Sequence, residues 1–238
     1  MKTHLTKLAA MLLVAGGAVT LSACDDEEEM MGPDAQPEAT VYVVHGINGS
    51  DIGASEALPV DVEVSGQGCV LEGVEFREIR GPLTLPAGTY DITVRLAAQD
   101  PCTGDAAIEA PGVELDDGDN VSVTAHLAEG GSPTASLFAN DVTEADGRTK
   151  VSPRHAADFG EVDVVVDGSP AFENVPNGAS ATATLDPGTY NVQIQTPDNQ
   201  TTAFEADLTL DAGTLYAAYA VGSVGNGTFE VLLQPITF

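Results

Sequence analysis

Two segments a hundred positions apart are near copies of each other: LPAGTYDITV runs from Leu85 to Val94 and LDPGTYNVQI from Leu185 to Ile194. Each places a Pro/Gly turn ahead of a Tyr and an alternating run, the pattern of a tight turn feeding a strand. The copying extends outward. PVDVEV (59–64) matches EVDVVV (161–166), VELDDGDNVSVTAH (113–126) matches LTLDAGTLYAAYAV (208–221), and TASLFANDVT (134–143) sits where FEVLLQPITF (229–238) sits. Such a chain folds as one unit used twice, and each half is a control on any reading of the other.

The unit is read from its alternation. VYVV (41–44), VDVEV (60–64), YDITVRL (90–96), VSVTAHL (121–127) and ASLF (135–138) are strand-like, and GINGSDIG, PAG, DDGDN and EGGSP between them form turns. Val, Ala and Thr dominate over long aliphatics, Trp is absent, and no helical period appears beyond the leader. The expectation is an all-β protein. It has two tandem antiparallel β-sandwich units of immunoglobulin-like or transthyretin-like kind, at 40–142 and 151–238, joined by a linker at 143–150.

The first residues carry an address. MKTHLTK is a basic n-region and LAAMLLVAGGAVT an apolar h-region of secretory length, so residues 1–23 read as a signal peptide. LSAC, ending at Cys24, resembles a bacterial lipobox. That resemblance implies diacylglycerol on the Cys24 thiol and cleavage just before it. Several acyl chains hold a protein stably to a membrane where one does not, so Cys24 is the expected anchor. Residues 24–39 then form an acidic tether that lacks the apolar surface to fold. Asp25, directly after the lipidated Cys, resembles the inner-membrane retention signal of enteric-type sorting.

Charge narrows the partners. The chain has 37 acidic against 8 basic residues, a formal net charge of −29. Such a surface repels nucleic acid and anionic headgroups and suits cations or basic partners.

The elements His155, Ala156, Asp158, then Val162, Asp163, Val164, then Gly188 and Tyr190 resemble a bacterial family known as domain of unknown function 4397. The first half carries the same elements at His45, Val60, Asp61, Val62, Gly88 and Tyr90, with a longer loop, GINGSDIGASEALP, between His and strand. The second half lacks the Pro that the family pattern places after the His. The resemblance implies an exported, usually anchored β-domain with no known activity.

Residues that could carry chemistry have competing structural roles. His45 in VVHGING resembles the oxyanion-hole element of α/β-hydrolases, but no Gly-x-Ser-x-Gly elbow follows. A structural His bonding its own loop fits both His45 and its counterpart His155. His126 stands alone on a strand, without a second ligand at metal spacing. Asp61 and Asp163, flanked by Val in both halves, are expected to face solvent or cap a turn, with a shared ligand contact as the alternative. Tyr90 and Tyr190 are expected to cover the end of the core while their hydroxyls reach backbone or water; the alternative, an aromatic sugar platform, usually shows Trp, and this chain has none. Asp116, Asp117 and Asp119 in DDGDN suggest a Ca²⁺ loop, yet the counterpart DAGTL keeps only one Asp. Cys69 and Cys102, both in the first half of an exported chain, are expected to pair.

The functional expectation is a non-enzymatic binding or spacer module of the cell envelope, without a cofactor. It is joined to the membrane by its lipid and meets a protein or glycan ligand there. The alternatives are a Ca²⁺-binding acidic surface protein and an unrecognised hydrolase.

Overall fold

A computed structural model describes residues 36–238. The expected signal peptide, Cys24, Asp25 and the acidic stretch as far as residue 35 lie outside the described residues.

The protein is all-β and built as two sandwiches. In the first half the strands are β1 (Glu38–His45), β2 (Val60–Val64), β3 (Gly68–Val74), β4 (Ile79–Pro86), β5 (Gly88–Leu96), β6 (Ala106–Leu115), β7 (Asn120–Leu127) and β8 (Pro133–Ala139). They form sheets in the orders β4-β1-β7-β8 and β3-β2-β5-β6. In the second half they are β9 (Thr149–Asp158), β10 (Val162–Val166), β11 (Ser169–Val175), β12 (Ala183–Leu185), β13 (Gly188–Gln195), β14 (Thr202–Leu210), β15 (Thr214–Ser223) and β16 (Glu230–Thr237). Their sheets run β12-β9-β15-β16 and β11-β10-β13-β14. Adding eight to every strand number turns the first pair of sheets into the second, so the duplication holds strand for strand.

One pairing in each half departs from the antiparallel expectation. β1 lies parallel to β7, with Val41 opposite Val121, and β9 lies parallel to β15, with Val151 opposite Tyr216. A parallel pair needs a long crossover. Here the chain supplies one by building the other sheet, β2, β3, β5 and β6, between the two partners.

Alternation then decides what each face meets. The inner faces of β1 and β7, carrying Val41, Val43, Val121 and Val123, pack on Val62, Val64, Ile92 and Leu115 from the facing sheet. The outer face packs too. Val44, Phe76 and Phe138 meet Ala156, Ala217, Tyr219 and Val221, so the two sandwiches stack back to back through a shared apolar cluster. Strands buried on both sides lose the apolar/polar alternation of a surface sheet; all of β7 after Asn120 is buried.

Close approach explains two glycines of the HGING segment, the first in this seam and the second within its own loop. A Cβ on Gly46 would sit 2.6 Å from Val221 Cγ1, and one on Gly49 would sit 1.8 Å from the Ser55 carbonyl oxygen. The contact is also reciprocal. Asp51, in the β1–β2 loop, accepts from Thr228 Oγ1 at 2.7 Å on the β15–β16 hairpin. Asp158, at the end of β9, accepts from the Gly130 amide at 2.8 Å on the β7–β8 hairpin. Each half thus presses its last hairpin onto the start of the other, as in an isologous dimer.

Candidate functional site

His45 closes β1 and His155 lies three residues before the end of β9, and both are buried. His45 Nε2 lies 2.8 Å from the Leu58 carbonyl and His155 Nε2 lies 2.8 Å from the Gly160 carbonyl. A carbonyl only accepts, so Nε2 carries the proton and donates in both rings. Each His therefore pins the end of its own loop just before β2 or β10. Burial outweighs the backbone hydrogen bonds and holds both imidazoles below their ordinary pKa. The other ring nitrogens differ: Nδ1 of His45 accepts from the Ile47 amide at 3.3 Å, whereas Nδ1 of His155 has no partner.

Asp61 and Asp163 do not face solvent, which corrects one of the two roles expected of them; they are only 2% and 7% exposed. Asp61 Oδ1 accepts from the Gly73 amide at 2.9 Å, and Asp163 Oδ1 accepts from the Asn174 amide at 2.8 Å. Gly73 and Asn174 both have positive φ and interrupt the neighbouring strand. The carboxylate satisfies the amide that such a bulge leaves without a ladder partner. In the first half Asp61 Oδ2 also accepts from the Cys102 amide at 2.8 Å. Cys102 is bonded to Cys69, so bulge, carboxylate and disulfide form one locked corner. A disulfide of this kind persists in oxidising compartments and fits an extracytoplasmic protein.

Tyr90 and Tyr190 close the Pro/Gly turns. Tyr90 Oη donates to the Pro86 carbonyl at 2.7 Å and Tyr190 Oη to the Asp186 carbonyl at 2.8 Å, each four residues upstream. This is the geometry of a tyrosine corner, in which the ring covers the core and the hydroxyl ties the turn.

The acidic loop bonds to backbone. Asp119 accepts from the Asp116 amide at 2.9 Å, and Asp117 accepts from the Glu38 amide at 3.1 Å. Among the described residues no three His, Cys, Asp or Glu side chains gather as metal ligands. His126 lies in the back-to-back seam, 2.8 Å from Ser136 Oγ.

Sequence reasoning missed a polar cluster in that seam. Arg154 is 1% exposed, donates to Tyr219 Oη, Asn140 Oδ1 and the Ala139 carbonyl, and lies over the Phe138 and Tyr219 rings. Tyr219 passes the chain on to Gln234 at 2.8 Å. Among the described residues no carboxylate joins it, and burial lowers the guanidinium pKa while raising that of the Tyr219 hydroxyl. The one available signal was a charged residue directly before His155.

A second missed feature is an apolar cavity of about 90 Å³ between the two sheets of the second half. Val164, Val192, Ile194, Ala183, Ala218 and the ring-bearing His155 are among its walls. Strand register gives the wall residues first-half equivalents, some smaller, as Leu71 and Ile108 are beside Phe172 and Phe204, and three larger. Ala183 stands opposite Val151 where Leu83 stands opposite Val41, Ala218 opposite Pro153 where Val123 stands opposite Val43, and Val192 opposite Val166 where Ile92 stands opposite Val64. All three are smaller in the second half. The edge is shorter as well, since β12 has three residues against eight in β4. Leu85, Tyr90, Ile92 and Val123 are buried, but Leu185, Tyr190, Val192 and Ala218 are half-buried.

The sequence profile of the family described as Domain of unknown function (DUF4397) matches residues 39–165 and 156–235. No curated protein matches the chain. A solved structure from Bacteroides uniformis, described as a candidate cell adhesion protein, is 12% identical, with 84% of this chain and 99% of that one covered at a TM-score of 0.28. Another from Bacteroides ovatus, described in the same words, is 11% identical, with 86% and 98% covered at a TM-score of 0.28.

Proposed function

We propose that this chain, which belongs to the DUF4397 family of domains of unknown function, is an exported, lipid-anchored, non-enzymatic binding or spacing module of the cell envelope. One observation carries the non-enzymatic part. The polar residues shared by the two halves, His45 and His155, Asp61 and Asp163, Tyr90 and Tyr190, each bond to backbone of their own half, and the ring nitrogen left over on His155 is covered by protein. A general base or nucleophile needs that capacity free toward a substrate. The anchor rests on the LSAC sequence at Cys24 and on the signal-peptide pattern before it.

Two experiments test the reading. Protein lacking residues 1–23 is assayed against ester, glycoside and phosphate substrates, and no turnover is expected. Turnover that disappears in His45→Ala, with the circular dichroism of that variant unchanged, would defeat it. Acyl labelling in cells is expected for the native chain and not for Cys24→Ala; equal labelling of both would remove the anchor.

A further inference from the structure

We propose that the second sandwich is a binding site for a small neutral apolar molecule, a short hydrocarbon chain. The inference deepens the binding-module reading by naming a ligand class, and it rests on that reading only in treating the chain as a binder.

The chemistry of the cavity selects the ligand. Its walls come from both sheets and are almost wholly hydrocarbon, so water inside would lack the two to four polar partners it requires. An apolar void of this kind stays dry or takes an apolar guest, because each wall atom facing it has forfeited its dispersion contacts. About 90 Å³ admits a short chain or a small ring and no folded segment. The cavity is reached from outside, as Leu185, Tyr190 and Val192 are half-buried.

His155 lines the cavity, but its Nε2 proton is given to Gly160 and its Nδ1 is covered by protein, so it offers a guest no hydrogen bond. The guanidinium of Arg154, the one charged wall residue, lies across β9 against Phe138 and Tyr219, so no cation faces the guest. A carboxylate would then be buried unpaired in a strongly acidic protein, which excludes fatty acid anions.

The internal duplicate supplies the control. The mature chain, unlipidated and free of detergent, is titrated with hexanol and with hexanoate while the methyl resonances of both halves are followed by NMR. Hexanol should give saturable shifts confined to Val164, Val192, Ile194 and Ala218, and hexanoate should bind at least about tenfold more weakly. Ala183→Leu with Ala218→Leu fills the cavity. The pair should weaken hexanol about tenfold or more and raise the melting temperature in its absence. Val192→Ile, the mildest filling change, is measured beside the pair and should weaken binding in the same sense if the pair does not fold. Shifts spread over both halves, shifts that never saturate, or undiminished binding in the filled variants would each overturn the proposal. Absence of both hexanol binding and substrate turnover would sink the site alone. Turnover together with hexanol binding would sink the non-enzymatic reading and leave the site.

Discussion

The two sandwiches have one topology and two interiors. In the first, Leu83, Ile92 and Val123 reach into the space between the sheets and an eight-residue β4 covers the edge. In the second, Ala183, Val192 and Ala218 leave that space open under a three-residue β12. The disulfide and the two-armed Asp61 belong to the closed half, while the open half has neither a Cys nor a second amide on Asp163. Duplication therefore divided the labour: one copy is built for rigidity, and the other has exchanged packing for access.

The largest test of that division is the disulfide. Replacing Cys69 and Cys102 with Ser opens a loop with a sequence separation of 33 and should cost roughly 3–4 kcal/mol in urea unfolding. A loss well under 1 kcal/mol would mean that the first half does not depend on its lock. Next comes one truncation made at both equivalent places. Leu85→Ala should cost about 3 kcal/mol and Leu185→Ala about 1 kcal/mol, because the second site already borders a void and strands less new surface. Equal costs would break the comparison. The carboxylates rank likewise. Asp61→Ala leaves two amides without an acceptor and should cost about 2–3 kcal/mol, against about 1–2 kcal/mol for Asp163→Ala, which leaves one.

The buried imidazoles add a pH dependence of known sign. His45, His126 and His155 are all held below the ordinary value of 6.5, chiefly by burial. The unfolded chain thus binds protons first, and stability that is complete above about 6.5 falls as pH drops below it. Each imidazole contributes a slope of up to about 1.4 kcal/mol per pH unit, and two of the three lie in the first half. Urea midpoints that stay flat from neutral pH into this range would contradict neutral, buried rings.

Much of this architecture was legible in the residues. The Pro/Gly-Tyr turns, the Val-Asp-Val strands and their repeat gave an all-β duplicated fold, and two Cys in one half gave the disulfide. What was hidden has physical reasons. Alternation reports which face a residue takes and not which way its neighbour runs, so the parallel β1–β7 and β9–β15 pairs were invisible. Asp between two Val reads as an outward position, and only the bulge at Gly73 or Asn174 turns its carboxylate to internal use. The seam around Arg154 and the cavity are assembled from residues distant in sequence. The smaller side chains at Ala183, Val192 and Ala218 border one void only because three strands bring them together.

The claim that unites these points is that the copies differ in whether the interior is filled. A crystal structure of the protein under xenon pressure tests it directly, since xenon enters dry apolar voids. A xenon atom among Val164, Val192 and Ala218, with none between the sheets of the first half, is the predicted result. Xenon in both sandwiches, or in neither, would contradict it.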